Sequence, residues 1–217
     1  MGIRIPPRRA FTPRERRLID TLRTPRQVQR FLRQFPYNWK DTLRTFRGAV
    51  THGSAHCLEA VLFAATVLEQ HGYPPLVLDL ESQDKLDHVL FLYRKDGRWG
   101  TVARSRDEGL HGRKPVFRSI ASLVRTYMDP YVDGAGRLVG YGTAHLDDIV
   151  RTDWRLGTRN MWSVEQALIH MPHVRIRMPN ARYTRALQRF RDFKQAHPTP
   201  TGRDWRRHLL DQSRTWI

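Results

Sequence analysis

With 217 residues, 40% of them apolar, the chain can bury one core of ordinary size. Its charge is lopsided: 38 Lys+Arg against 21 Asp+Glu give a formal +17. A single cysteine excludes an internal disulfide and a zinc site built from cysteines.

The excess charge invites a nucleic-acid reading. Only five of the basic residues are lysine, however, and the arginines are scattered rather than blocked. Such a skew is what a GC-rich coding sequence produces, and it implies at most non-specific affinity for polyanions. The opening "MGIRIPPRRAFTPRERR" has no apolar stretch of signal-peptide length. The longest apolar run, "AVLFAATVL", is too short to span a bilayer. A lone thiol fits a reducing compartment, so the sequence predicts a cytoplasmic protein with no membrane association.

Residues 1–11 are rich in Pro and Arg and read as a loose N-terminus. Two helix starts follow. "TPRE" from Thr12 and "TPRQ" from Thr24 each combine a threonine N-cap, a proline at the first helical position and Glu or Gln three residues after the cap. The second helix carries Val28, Phe31, Leu32 and Phe35 at helical spacing and stops at Pro36. Residues 37–53 read as an irregular connector. A central helix is expected over about 55–71, with Ser54 as its cap and an apolar face of Leu58, Val61, Leu62, Ala65 and Leu68. Gly72 and Pro74 end it.

Three strand-like runs follow: 75–81, 87–94 and 98–105. Asp96-Gly97 between the last two is a strong two-residue hairpin signal. Residues 118–133 read as helix, the Gly-rich 134–142 as a further strand, 161–171 as a short helix and 181–198 as a C-terminal helix. Residues 199–217 read as a tail. The reading is therefore one domain over 12–198 with no internal repeat.

Cys57 sits at the mouth of the central helix. There its sulfur lies near unsatisfied N–H groups and the positive end of the helix dipole, a placement that lowers a thiol pKa. A cysteine nucleophile also needs a base. His56 is adjacent but, as a neighbour along a helix, points about 100° away. His88 opens the second strand, over which a packed helix can bring its N-terminus.

The stretch 53–105 resembles the core of the transglutaminase-like superfamily, within the papain-like cysteine fold. "GSAHCLEAVLFAATVLEQHGYPPLVLDL" looks like the family's cysteine helix and its exit, and "DHVLFLYRKDGRW" like its histidine strand, hairpin and tryptophan. The resemblance covers about a quarter of the chain. It implies an α+β fold, with a central Cys-bearing helix on an antiparallel sheet and extra N- and C-terminal helices outside the core. It makes Cys57 the nucleophile and His88 the base; no cofactor is expected, and no metal, because the ten histidines show no HExxH or similar spacing.

The family's acid falls four residues after the tryptophan, and here that position is Ala103. If Lys95 pairs with Arg98, His88 faces Ser105 across the hairpin, and Ala103, Ser105 and Asp107 share its face. Asp107 and Ser105 are the candidate third members. A Cys–His dyad, or a carboxylate such as Asp79 or Glu81, is the remaining possibility. The oxyanion would be held by the Cys57 N–H and a donor from the connector, Asn38 or Trp39, with Ser54 and His56 also beside the cleft.

The expected chemistry is acyl transfer from a peptide, protein or small amide to water or an amine. The arginines of 37–53 and 106–117 suggest an acidic substrate. The alternatives are an inactive member of the same fold that binds peptides, and a basic nucleic-acid-binding protein with a structural cysteine.

Overall fold

The computed structural model describes residues 5–133 and 136–198. Among these, eight α-helices surround a five-stranded antiparallel sheet. The expected tail, 199–217, lies outside the described residues.

Helices α1 (Pro13–Thr21) and α2 (Pro25–Gln34) start as their sequences require, with complete capping boxes from Thr12 to Glu15 and from Thr24 to Gln27. The segment before them is tied to the body. Phe11 is buried against Phe46, and Gln70 donates to the Pro6 carbonyl. The connector is not irregular throughout. Thr45 caps a seven-residue helix, α3 (Phe46–His52), which ends on Gly53 at φ +68°.

The central helix, α4 (Cys57–Glu69), starts two residues later than its sequence suggests. Ala55 is bridged to Tyr37 in parallel register and donates its N–H to the Pro36 carbonyl, which keeps 54–55 extended. The cap is therefore His56, Cys57 is the first helical residue, and the Ser54 hydroxyl accepts from Arg44 instead. Every α4 residue from Leu58 to Glu69 is buried. Phe63 stacks on Phe31 at 5.3 Å and meets Phe46 at 5.1 Å, so α2 and α3 cover the side of α4 away from the sheet.

Strands β1 (Leu76–Ser82), β2 (His88–Lys95) and β3 (Arg98–Val102) follow. Asp96 and Gly97 both take positive φ, 49° and 72°, as a tight primed turn demands. The register is the expected one: Lys95 opposite Arg98, through to Phe91 opposite Val102. There β3 stops, three residues short of its predicted end. The side chain of Gln29, fully buried on α2, takes both backbone groups of Ala103, donating to its carbonyl and accepting its N–H at 2.8 Å each. Ala103 thus has nothing left to pair with β2.

After a 3₁₀ turn (Glu108–Leu110) come α5 (Ile120–Tyr131), β4 (Leu138–His145), α6 (Leu146–Ile149), α7 (Trp162–His170), β5 (Val174–Arg175) and α8 (Asn180–Ala196). The strand order is β3-β2-β1-β4-β5. Alternation divides the sheet's two faces. Val77, Val89, Phe91 and Tyr93 pack with α4, while Leu78, Leu80, Leu90 and Leu92 pack with Leu123, Val124 and Tyr127 of α5. Helix α8 lies on α5 through Met128, Val132 and Ala186.

A buried ion cluster fastens the C-terminal end of α4. Arg155, wholly buried, forks onto Glu69 and Asp147 at 2.7–2.9 Å, with its guanidinium 3.9 Å over the Trp154 ring. Among the described residues no helix is long and apolar enough to cross a membrane.

Candidate active site

The early end of β3 leaves a gap beside the first residues of β2, and the N-terminus of α4 points into it. The backbone N–H groups of Leu58, Cys57 itself and Val89, the residue after His88, stand near the Cys57 sulfur there and favour its thiolate. Cys57 and His88 line one cleft of about 520 Å³, together with Tyr37, Ser105, Asp107 and Leu110. The two residues singled out in the sequence therefore share a single cavity.

The N–H groups pull the thiol pKa down, as a helix start should, yet burial is the larger effect and pushes it up to about 11. His88 is 4% exposed, and burial pulls its imidazole down to about 4. Desolvation thus opposes the lowering expected of a helix start, although the Cys57 side chain is only half-buried. At neutral pH the resting pair is a thiol and an uncharged imidazole.

His88 has a defined hydrogen bond. Its Nε2–H donates to the Leu110 carbonyl at 2.9 Å, which leaves Nδ1 with the lone pair. The partner of the ring is a backbone oxygen. Asp107 and Ser105 both line the cleft but are engaged with each other and with Arg106. The Ser105 hydroxyl accepts the Asp107 N–H at 3.1 Å, and the Asp107 carboxylate lies 3.7 Å from Arg106. Asp79 accepts from His173 Nε2 at 2.9 Å, and Glu81 accepts from Arg175 at 3.0 Å. Burial raises Asp79 to about 6 against the pull of His173.

His56 is closer to the sulfur than helical geometry implied, because it is the cap and has an extended backbone. Its Nδ1 lies 4.0 Å from Sγ, while Nε2–H donates to the Thr42 carbonyl. The His56 N–H donates to Glu59, a fully buried carboxylate. The same carboxylate accepts from Asn38 Nδ2, Thr42 Oγ1 and the Arg44 N–H. Asn38 divides its amide hydrogens between Glu59 and Thr42, and Trp39 is 74% exposed against the edge of Tyr37. The structure thus brings neither Asn38 nor Trp39 to the sulfur. Tyr37 is the connector residue that reaches the cleft.

The cleft walls also correct the expectation of an acidic substrate. Among the described residues four carboxylates line them, from Asp84, Asp87, Asp107 and Asp133, against two cations, Arg106 and Lys194. The arginines of the connector do not face this cavity.

No family model matches the chain, and no curated protein matches it. Solved structures do. LapG of Legionella pneumophila superposes with 14% identity over 64% of this chain and 81% of that one, at a TM-score of 0.36. Its calcium-bound form gives 14% identity over 76% and 95%, at 0.37, and its EGTA-treated form gives 13% over 76% and 94%, also at 0.37.

Proposed function

We propose that the protein is a transglutaminase-like cysteine acyl-transfer enzyme in which Cys57 attacks an amide or ester carbonyl and His88 is the base. The observation that carries the reading is the shared cleft. A helix N-terminus delivers the sulfur, and a neighbouring strand delivers a buried imidazole whose one free nitrogen is Nδ1. Because the resting pair is uncharged, the proton leaves sulfur as the carbon–sulfur bond forms, and His88 takes it. The imidazolium then gives that proton to the leaving amine or alcohol, and a thioester remains on Cys57. Water or an amine resolves it. The Cys57 N–H, at the first helical position, has no intrahelical acceptor and supplies one oxyanion donor.

The carboxylates of the cleft wall favour substrates with basic side chains near the scissile bond. A p-nitrophenyl ester is the first test. The expected result is a stoichiometric burst of nitrophenol with an acyl group on Cys57, absent in Cys57→Ser and in His88→Ala. If His88→Ala acylates normally while His56→Ala does not, His56 is the base instead.

One observation favours a second reading. The described partner of His88 is a backbone carbonyl rather than a carboxylate, as a non-catalytic, peptide-binding version of the same cleft would show. Absence of any burst, with retained binding of basic peptides, would select it.

A further inference from the structure

The carbonyl that holds His88 is itself held. Arg113 is wholly buried, and its guanidinium straddles Leu110: Nη2 donates to the Gly109 carbonyl at 2.6 Å and Nη1 to the His111 carbonyl at 2.7 Å. The same group lies 4.2 Å over the Tyr127 ring, and Nε reaches Thr126 Oγ1 at 3.3 Å. The Tyr127 hydroxyl adds a third bond, donating to the His111 carbonyl at 3.1 Å. The backbone of Arg113 exchanges hydrogen bonds with Thr101 of β3, and Gly112 N–H donates to Gln29. Residues 109–113 are thereby fixed to α2, β3 and α5 at once. A fully buried guanidinium is expensive to desolvate, and here it is spent on the two carbonyls that flank the oxygen facing His88.

We propose that Arg113 is a positioning residue for His88, acting through the Leu110 carbonyl, which orients the ring where, among the described residues, no carboxylate is bonded to it. The clamp fixes the tautomer with hydrogen on Nε2, so that only Nδ1 can accept the thiol proton. A carbonyl orients the ring as a carboxylate does but brings no full negative charge to stabilise imidazolium, and Arg113 adds a nearby positive charge that opposes it. Among the described residues His111 is a further titratable group close to the ring, its Nε2 bonding the Ser105 carbonyl at 3.0 Å, and Cys57, Asp87 and Asp107 stand on the cleft walls. The proposal rests on the cysteine-enzyme reading for its purpose and for the alkylation rate, but not for the tautomer readout.

The test is ¹⁵N NMR of the full chain, assigning the His88 ring by its absence in His88→Gln. The expected wild-type spectrum is a neutral ring with hydrogen on Nε2 from about pH 5 to 8. In Arg113→Lys, a point charge replaces the planar fork. The ring should then show mixed tautomers, and Cys57 should be alkylated at pH 7 about tenfold more slowly. Tyr127→Phe leaves Arg113 in place and should produce a smaller shift in the same direction, which covers the case in which Arg113→Lys does not fold. Asp107→Asn should leave the tautomer as in wild type. Hydrogen on Nδ1 in the wild type overturns the proposal. So does a folded Arg113→Lys, or failing that Tyr127→Phe, with wild-type tautomer and rate. An Nε2–H ring combined with alkylation indifferent to His88 would instead sink the enzyme reading and leave the clamp as a structural device.

Discussion

Glu59→Gln isolates the network that aims the cysteine helix. Oε1 accepts from Thr42 Oγ1 and the Arg44 N–H, each at 2.9 Å. Oε2 accepts from Asn38 Nδ2 at 2.9 Å and from the His56 N–H at 3.0 Å. Four donors thus meet two oxygens in a place with no solvent exposure. A glutamine keeps one oxygen and can satisfy two donors, while its NH₂ confronts the other two. Each buried donor left without an acceptor costs about 1–3 kcal/mol, so the loss for two is about 2–6 kcal/mol. Glu59→Ala, which leaves all four donors without this acceptor, should cost more. Urea unfolding at pH 7 with an unchanged m-value measures this directly. The variant should also lower the rate of Cys57 alkylation, since His56 and Cys57 share the helix start. A loss below about 1 kcal/mol in Glu59→Gln would refute the claim that this carboxylate organises the connector.

Other variants probe separate parts of the structure. Arg155→Met leaves Glu69 and Asp147 facing each other without their shared cation and should cost about 3–5 kcal/mol by urea unfolding; Arg155→Lys, which cannot fork, should recover only part of it. The folded-state pKa of Asp79 is raised to about 6, above the unfolded value of about 3.9. Its stabilising contribution is therefore complete below about pH 4 and lost as pH climbs through about 6, and Asp79→Asn should remove this part of the pH dependence in denaturation series. His88 is depressed to about 4 from about 6.5. Its contribution is present above about pH 6.5 and disappears as pH falls through about 4, so its ring signals should not titrate until near pH 4. A methyl group at Gly112 would stand 2.3 Å from the Thr101 carbonyl and 2.2 Å from Gln29 Oε1, so Gly112→Ala should destabilise by about 1–3 kcal/mol and slow Cys57 alkylation.

Local chemistry made much of the fold legible. The capping boxes at Thr12 and Thr24, and the Asp96-Gly97 turn with its register, depend on residues within a few positions of each other. Hence the cysteine helix and the histidine strand could be read from spacing, while their pairing in one site came from the family resemblance. Long-range contacts supplied what spacing hid. The cap moved from Ser54 to His56 because Ala55 pairs with Tyr37. Strand β3 was cut short by Gln29, a side chain 74 residues away. The short helix α3 did leave a trace, Thr45 before it and Gly53 after it, with Phe46, Ala49 and Val50 on one side. The partner of His88 left none, because every residue carries a backbone carbonyl. The direction of the Cys57 shift was equally hidden, since a helix start is visible in sequence and the burial that outweighs it is not.

The joint action of Cys57 and His88 is tested most directly by alkylation. The single thiol removes any ambiguity of site. Iodoacetamide should modify the wild type at pH 7 at least about tenfold faster than His88→Ala, because the imidazole takes the proton as sulfur attacks. Equal rates in the two proteins, both rising only as the bulk pH deprotonates the thiol, would contradict a working Cys57–His88 pair.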